Sequence, residues 1–412
     1  MPALTGRIST PAKTYAEVLR TPGAWKFYLA AAPARIGIAM TSLGIVWLVH
    51  STTGSYAAAG SVTGGFAVAE ALAGPQVARL IDRYGQTRML PITLLAHGLA
   101  VALLIGLTLQ SASLPVLIAA GVLAGGSLPQ VGAQSSARWS HALGGGPALA
   151  SAFALESLGT GVAFMVGPAL IGTVSSLGSP VAGSILATTL VLVGGLSLAV
   201  QRSTAPPPAV HEHGSKKARL MRPTFVGLIG TNIGIGLFFG SMQVSVTAYA
   251  LSTGSPGLAG PLYGVTSLVS LFAGLAYGAR RWRTPPLTQL VITLTGLALT
   301  CLPLLLVETP LQAGVALALP GLAIAPFQIL SAVLAQAEVE PAVLTQAFTW
   351  LNSGCAAGIA LGAAFAGHLV DSHPPRYGFL LALLAATVAT AVAVVLRAGR
   401  HPKDPRTTVR EV

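Results

Sequence analysis

The sequence predicts an all-α integral membrane protein, with twelve transmembrane helices in two pseudo-symmetric six-helix bundles. Three observations support this fold class. The chain of 412 residues is 53% hydrophobic and has a mean hydropathy of +0.73. Only 8% of its residues are charged, whereas soluble domains usually carry about 25%. Apolar runs long enough to cross a bilayer recur along the chain, and one long polar stretch divides them into two sets of six.

Each predicted span satisfies the requirement for about 20 mostly apolar residues across the hydrocarbon core. The runs are too long for barrel strands and do not alternate between apolar and polar residues. The first six spans are predicted at roughly 25–50, 55–78, 88–110, 113–137, 147–175 and 178–200. The second six are predicted at roughly 223–250, 256–279, 286–307, 311–335, 342–370 and 376–397.

The polar gap "QRSTAPPPAVHEHGSKKARLMR" is rich in proline and charge, which is typical of a linker. The sequence therefore predicts a cytosolic N-terminal tail (1–24), an N-terminal bundle (25–200), a cytosolic linker (201–222), a C-terminal bundle (223–397) and a cytosolic C-terminal tail (398–412). The "HEH" within the gap does not indicate a metal site. His211 and His213 are two residues apart and do not share a helical face.

The basic residues predict the orientation in the membrane. The net charge of +12 is concentrated in alternate loops, whereas the intervening loops "STTGS", "QSASL", "SLGSP" and "STGSPG" are uncharged. The positive-inside rule explains this pattern without a nucleic-acid partner. We therefore expect a multi-pass protein of the cell membrane with both termini in the cytosol. The N-terminus has no apolar core directly after its charges, so we interpret it as a cytosolic tail.

The two halves contain a related stretch at the end of their second helix. "GPQVARLIDRYG" begins at Gly74 and "GLAYGARRWR" begins at Gly274. Internal repeats of this kind are typical of secondary transporters, whose substrate site lies between the repeats. The longer stretch "GPQVARLIDRYGQTR" resembles the signature loop of the major facilitator superfamily. The matching residues are Gly74, Asp82, Arg83, Gly85 and Arg88.

This resemblance implies the fold of that superfamily, and transport of a small molecule by alternating access. It also implies that Asp82 caps the helix starting near Pro341 in the other half, and so gates the inner side. The stretches "SSARWSHAL" and "TQAFTWLNSG" resemble a subgroup of actinobacterial members presumed to be exporters of drugs or other small molecules. Members of the superfamily often have an arginine inside the fourth helix, which is linked to proton coupling. The fourth span departs from this pattern, because it has no arginine before Arg138 at its inner end.

The fifth span contains "LGTGVAFMVGPALIG", which resembles the antiporter motif of drug exporters. The matching residues are Gly159, Gly167, Pro168 and Gly172, although the final double glycine of the motif is single here. The motif favours export. The alternative interpretation is a packing helix, in which the proline bends the helix and the glycines allow close contact.

Three ionisable residues are predicted near the middle of the membrane, where charges are costly and usually functional. Arg35, Glu70 and Glu156 each lie roughly 13–18 Å from the inner face, at about 1.5 Å per residue. A buried arginine requires a carboxylate partner, and a second carboxylate is then left to bind a proton. We expect Glu156 or Glu70, with Glu156 favoured, to bind the coupling proton while Arg35 tunes it. The alternative is a static structural ion pair.

The C-terminal half has no comparable charge within its spans. Its polar candidates for a substrate cavity are Asn232, Gln243, Gln328, Gln346 and Asn352. Amides and apolar walls would suit a neutral or weakly basic amphipathic substrate, although each amide taken alone is better explained as a helix-packing hydrogen bond. We expect no cofactor or metal, with the proton gradient as the energy source, and a monomer in the lipid bilayer.

The predicted function is proton-coupled efflux of a small organic molecule. Import or uniport of a small metabolite is the alternative within transport. A non-transporting membrane enzyme or sensor is disfavoured, because the chain has no GxxxxGK[ST], HExxH or GxSxG motif and no sizeable soluble domain.

Overall fold

The computed structural model describes residues 11–146, 148–177, 179–208, 220–255 and 258–399. These residues form fourteen α-helices and two short 3-10 helices and contain no strand. The helices of the N-terminal half are α1 Pro11–Leu19, α2 Ala24–Thr53, α3 Tyr56–Tyr84, α4 Gln86–Leu109, α5 Leu114–Gly126, α6 Val131–Leu143, α7 Ala148–Leu177 and α8 Pro180–Val200. Those of the C-terminal half are α9 Pro223–Ser252, α10 Ala259–Ala279, α11 Pro286–Cys301, α12 Pro310–Glu338, α13 Leu344–Ser372 and α14 Arg376–Ala398. The 3-10 helices are Leu302–Leu306 and Pro341–Val343.

The predicted fold class is confirmed. Within the described ranges, eleven helical segments are long and apolar enough to cross a membrane, with α5 and α6 counted together. The remaining predicted span is α3, whose hydropathy is lowered by Glu70 and by glycine, serine and threonine residues. This helix is 29 residues long and packs against α2, α5 and α13. It therefore belongs to the bundle as the second of twelve spans.

The predicted fourth span, 113–137, corresponds to one membrane-crossing segment, Leu114–Leu143, which is interrupted once and extends beyond the predicted end. α5 ends at Gly126, α6 begins at Val131, and the helix continues to Leu143. Pro129 lies in the break, where it lacks an N–H for helical hydrogen bonding and disfavours helical geometry in the residue before it. The break places the first turn of α6 in the interior of the bundle.

Close helix contacts hold each half together. In the C-terminal half, α9 and α13 cross at glycines on both helices. A Cβ atom at any of these glycines would collide with the backbone of the opposite helix. Small residues of this kind let membrane helices approach closely enough to gain dispersion energy along their length. The glycines at this crossing are Gly236, Gly240, Gly358 and Gly362.

One end of the bundle carries the exposed basic residues of the α3–α4 and α10–α11 connections, and we call it the basic end. The positive-inside rule predicts that this end faces the cytoplasm. The largest apolar cluster joins the two halves here, because it includes Phe153 and Ala154 of α7 together with residues of α9 to α14. Half of the predicted linker, including His211 and His213, and nearly all of the predicted C-terminal tail lie outside the described residues, and the domain division remains a prediction.

Candidate functional site

A central cavity of about 180 Å³ lies between the two halves. α6 and α7 form one wall, and α9, α12 and α13 form the other. Four phenylalanines line it, namely Phe153, Phe239, Phe327 and Phe348. The polar lining residues are Ser136, Glu156, Ser157, Thr160, Asn232, Gln328, Ser331 and Asn352. The cavity is therefore aromatic, with hydrogen-bonding groups contributed by both halves.

Glu156 is the one carboxylate among the described residues that line the cavity. Its Oε2 forms a hydrogen-bonded ion pair with Nη2 of Arg35. Its Oε1 accepts hydrogen bonds from Ser135 Oγ at 2.8 Å and from Trp139 Nε1 at 2.7 Å. Arg35 and Glu156 are both buried. Removing one partner of a buried ion pair costs about 3–5 kcal/mol, because the other charge stays behind uncompensated.

Gly159, three residues after Glu156 on α7, leaves the space that Arg35 occupies. A Cβ atom at Gly159 would collide with Nη1 of Arg35 and would lie 3.1 Å from the hydroxyl of Tyr28. The Tyr28 ring lies 5.5 Å from the guanidinium carbon, and its hydroxyl donates to the carbonyl of Leu155 at 2.7 Å. The first glycine of the antiporter-like stretch thus contributes directly to the geometry of the ion pair.

The remaining residues of that stretch lie farther along α7. Gly167 packs against α2, where an added Cβ would lie 3.0 Å from Cβ of Ala39. Pro168 lies inside the helix, which continues through it to Leu177. Gly172 has no atom within 4 Å of an added Cβ, so close packing does not account for it.

Glu70 does not contact the cluster that Arg35 forms with Glu156, Ser135 and Trp139. It is half-buried on α3, and its carboxylate makes no hydrogen bond or ion pair with a described residue. One turn farther on, Gly74 faces the other half, with Cγ2 of Thr349 at 3.2 Å from a Cβ added there. The two predicted acids therefore have different environments, and only Glu156 contacts the arginine.

The C-terminal half presents a neutral counterpart of the cluster around Arg35 and Glu156. Ser331 lies 21 residues after the start of α12, as Ser135 lies 21 residues after the start of α5. Asn352 lies eight residues after the start of α13, as Glu156 lies eight residues after the start of α7. Asn232 Nδ2 donates to Ser331 Oγ at 2.8 Å. Equivalent depths in the two halves thus carry a charged cluster and an amide–hydroxyl cluster, both facing the cavity.

The predicted amides divide into two groups. Asn232, Gln328 and Asn352 line the cavity, and Gln328 Oε1 accepts a hydrogen bond from Ser157 Oγ of the other half at 2.9 Å. Gln243 is exposed on α9 outside the lining, and Gln346 lies in the first turn of α13 at the basic end. Sequence reasoning missed the four phenylalanines, because a single apolar helix gives no signal for which face meets the other half.

The signature loop makes a contact between the halves at the basic end. Asp82 Oδ2 accepts a hydrogen bond from the backbone N–H of Gln346 at 2.9 Å. Gln346 is the third residue of α13, a position whose N–H has no partner within its own helix. Gly85 has a φ of +91°, which joins α3 to α4 in a single residue. Arg83 and Arg88 are exposed.

Further contacts close the cavity toward the basic end. Ser151 Oγ of α7 donates to the carbonyl of Gly278 on α10 at 2.5 Å. The Tyr15 hydroxyl of α1 donates to the carbonyl of Leu275 at 2.7 Å. Phe153 and Phe348 meet edge to face across the halves, with ring centroids 5.7 Å apart. If the basic end is cytoplasmic, the structure is closed on its cytoplasmic side.

Arg138 is a buried anchor and does not line the cavity. Its Nε donates to Gln86 Oε1 at 2.8 Å, and its Nη2 donates to the carbonyl of Leu198 at 3.0 Å. Its Nη1 donates to the carbonyl of Gln201 at 2.8 Å and to Thr204 Oγ1 at 2.7 Å. Two of these acceptors are carbonyls at the C-terminal end of α8, where the helix dipole favours a cation.

The family model described as Major Facilitator Superfamily matches residues 27–343. A comparison with curated protein sequences gave no match.

The fold is similar to solved structures of membrane transporters. The crystal structure of a bacterial homologue of the iron transporter ferroportin in the outward-facing state gives a TM-score of 0.74 at 13% identity, covering 91% of this chain and 99% of that one. The same homologue with soaked iron gives 0.74 at 12% identity, covering 92% and 99%. The human organic anion transporter MFSD10 gives 0.60 at 15% identity, covering 94% and 97%. At such identities the likeness shows the fold alone.

Proposed function

Because the chain belongs to the major facilitator superfamily, we propose that it exports a small amphipathic organic molecule by alternating access, driven by protons moving inward. The observation that carries this proposal is the position of Glu156, which lines the central cavity while it is paired with Arg35. A carboxylate in this position can exchange a proton and can also interact with whatever occupies the cavity.

Glu156 is the proposed proton carrier. When it binds a proton, its ion pair with Arg35 is lost, and the hydrogen bonds from Ser135 and Trp139 rearrange around a neutral group. Arg35 sets the balance between the two forms because it compensates the buried carboxylate. Proton binding in the outward-facing state changes the charge of the cavity wall and thereby releases the substrate outward.

Glu70 is the alternative carrier. It is half-buried and has no described partner, so a proton would neutralise it without breaking an ion pair. Its position on α3 is one turn from Gly74, where the two halves meet. Transport measurements on the two single variants distinguish these carriers.

The cavity lining favours a neutral or weakly basic amphipathic substrate. Four phenylalanines bind apolar surface, while Asn232, Gln328 and Asn352 offer amide donors and acceptors. The described residues contain no group of three or more His, Cys, Asp and Glu side chains that could hold a metal ion. We therefore propose an organic molecule as the substrate. Iron is named for the ferroportin homologue, and we do not propose it as the substrate of this protein.

A two-stage experiment tests the proposal. Cells expressing the wild type or Glu156→Gln are exposed to a library of small amphipathic compounds, and intracellular accumulation is measured by mass spectrometry. An exporter lowers the accumulation of its substrate in wild-type cells relative to the variant. Purified protein in vesicles is then tested with that compound under an imposed pH gradient. We expect Glu156→Gln to abolish pH-driven transport.

The matched control is Glu17→Gln, which removes an exposed carboxylate of α1 far from the cavity. It should retain full transport. If Glu156→Gln and Glu70→Gln both retain full pH-driven transport, proton coupling through these acids is wrong. If wild-type cells accumulate more of the compound than the variant, the direction is import.

A further inference from the structure

The loop between α10 and α11, residues 280–285, concentrates cations at the basic end. Arg280, Arg281 and Arg283 are exposed, and their side chains make no ion pair or hydrogen bond with a described residue. Trp282 lies between them and is 41% exposed. This loop therefore presents three uncompensated guanidinium groups and an indole ring within four residues.

Several contacts hold this loop in one conformation. Trp282 Nε1 donates to the carbonyl of Tyr277 at 3.1 Å, and the two rings stack with centroids 5.0 Å apart. The Tyr277 hydroxyl donates to Gln289 Oε1, and Gln289 Nε2 donates to the carbonyl of Thr284 at 2.6 Å. The guanidinium carbon of Arg280 lies 4.7 Å from the centre of the Trp282 ring. A guanidinium stacked on an aromatic ring keeps its N–H edges available for an anion.

The corresponding loop of the N-terminal half serves a different purpose. Asp82 lies eight residues after Gly74, and Trp282 lies eight residues after Gly274. Asp82 accepts a hydrogen bond from the start of a helix in the other half, whereas an indole has no carboxylate for this purpose. The α10–α11 loop thus has an indole where the N-terminal loop has the acid that joins the halves, and it carries three arginines.

We propose that residues 280–283 bind the phosphate headgroup of an anionic phospholipid in the cytoplasmic leaflet. The guanidinium groups match a phosphate diester, because their parallel N–H donors form paired hydrogen bonds with two phosphate oxygens. Trp282 lies at the end of a membrane-spanning helix, the depth at which indole rings contact lipid headgroups. An anion bound there is a component of the bilayer and is present at high local concentration.

The site adjoins the contacts that close the basic end. Gly278, two residues before Arg280, accepts the hydrogen bond from Ser151 of the other half. The bound lipid would therefore be held next to the closure, although the proposal concerns binding alone and does not depend on the proposed export.

Fluorescence quenching tests the proposal on the full-length protein. The protein is reconstituted into phosphatidylcholine nanodiscs that contain a minor fraction of dibrominated lipid, either phosphatidylglycerol or phosphatidylcholine. Each protein is compared with its own Trp282→Phe version, so that the difference reports Trp282. We expect brominated phosphatidylglycerol to quench Trp282 several-fold more strongly than brominated phosphatidylcholine. The variant Arg280→Gln/Arg281→Gln/Arg283→Gln should lose this preference.

Each arginine near the surface is expected to contribute about fivefold in affinity for an anionic lipid, equivalent to about 1 kcal/mol. The matched control, Arg20→Gln/Arg202→Gln/Arg397→Gln, removes the same charge from three other exposed arginines that the sequence places on the cytoplasmic side. It should keep the preference. The triple lysine variant of the loop should retain part of it, because charge remains while the paired hydrogen bonds are lost.

Three results would overturn the proposal. Equal quenching of the wild type by the two brominated lipids would show that there is no headgroup preference. An equal loss in the control variant would assign the preference to diffuse charge. A loss caused by inorganic phosphate, but not by sodium chloride of the same ionic strength, would identify a site for free phosphate.

Discussion

Asp82 of the N-terminal half caps the first turn of α13 in the C-terminal half, with its Oδ2 2.9 Å from the backbone nitrogen of Gln346. A carboxylate at this position satisfies an N–H that lacks a partner within the helix, and it lies at the positive end of the helix dipole. The hydrogen bond joins the halves only when they meet at the basic end. It therefore stabilises the closed arrangement of that end.

Asp82→Asn should leave the protein inserted but weaken this closure. The loss of a charge at a helix N-terminus costs about 0.3–1 kcal/mol, and more where the site is partly buried. Cys355 lines the cavity, so its alkylation by a membrane-impermeant maleimide in inside-out vesicles reports opening of the basic end. We expect faster alkylation and slower transport.

Glu340→Gln is the control for this variant. It removes another carboxylate at the basic end, whose Oε1 lies 3.9 Å from Nη2 of the half-exposed Arg222. Exposed pairs of this kind contribute about 0–1 kcal/mol. Unchanged alkylation and turnover in Asp82→Asn would refute the gating role of Asp82.

Gly159→Ala should disrupt the proposed proton site without changing any charged residue. The added Cβ would occupy the position of the Arg35 guanidinium and crowd the Tyr28 hydroxyl, so that the ion pair with Glu156 must shift. We expect a loss of pH-driven transport of tenfold or more in vesicles. Gly161→Ala on the same helix is the matched control, because an added Cβ there meets no atom within 4 Å. Equal transport by the two variants would contradict the role given to Gly159.

Tyr15→Phe should favour opening of the basic end. It removes only the hydroxyl that donates to the carbonyl of Leu275, a hydrogen bond worth about 1 kcal/mol, or roughly fivefold in the closed-to-open ratio. The rate of Cys355 alkylation from the basic side should rise accordingly. Tyr84→Phe, at an exposed tyrosine of the same end, should leave the rate unchanged. A fall in the rate for Tyr15→Phe would be inconsistent with this contact.

Arg138→Gln should lower stability more than it affects the transport cycle. Four acceptors around the guanidinium would lose their donors, and three of them belong to the end of α8 and the segment after it. The expected cost is about 3 kcal/mol or more. Thermal unfolding in detergent should show a melting temperature lower by several degrees. The exposed Arg88→Gln serves as the control, and an equal melting temperature for both variants would show that Arg138 is not an anchor.

The sequence was sufficient for the features that depend on local composition. Hydropathy identifies membrane-spanning helices because each helix must satisfy its own backbone hydrogen bonds within the apolar core of the bilayer. The basic residues of the loops predict the orientation because this bias, too, depends only on the local composition of each loop. The acid in the signature loop was conspicuous because the positive-inside rule does not require one, and its predicted partner, the start of the eleventh span, is the helix that it contacts.

Only the tertiary structure decided how the helices face one another. Arg35, Glu70 and Glu156 lie at similar predicted depths, so the sequence left two acids available, and packing placed Glu156 alone against the guanidinium. The cavity lining, the use of Gly159 as space for Arg35 and the break at Pro129 depend in the same way on neighbouring helices. The physical reason is that composition and spacing fix how deep a residue lies in the membrane. The rotation of its helix, and hence its contacts, is fixed by packing against the others.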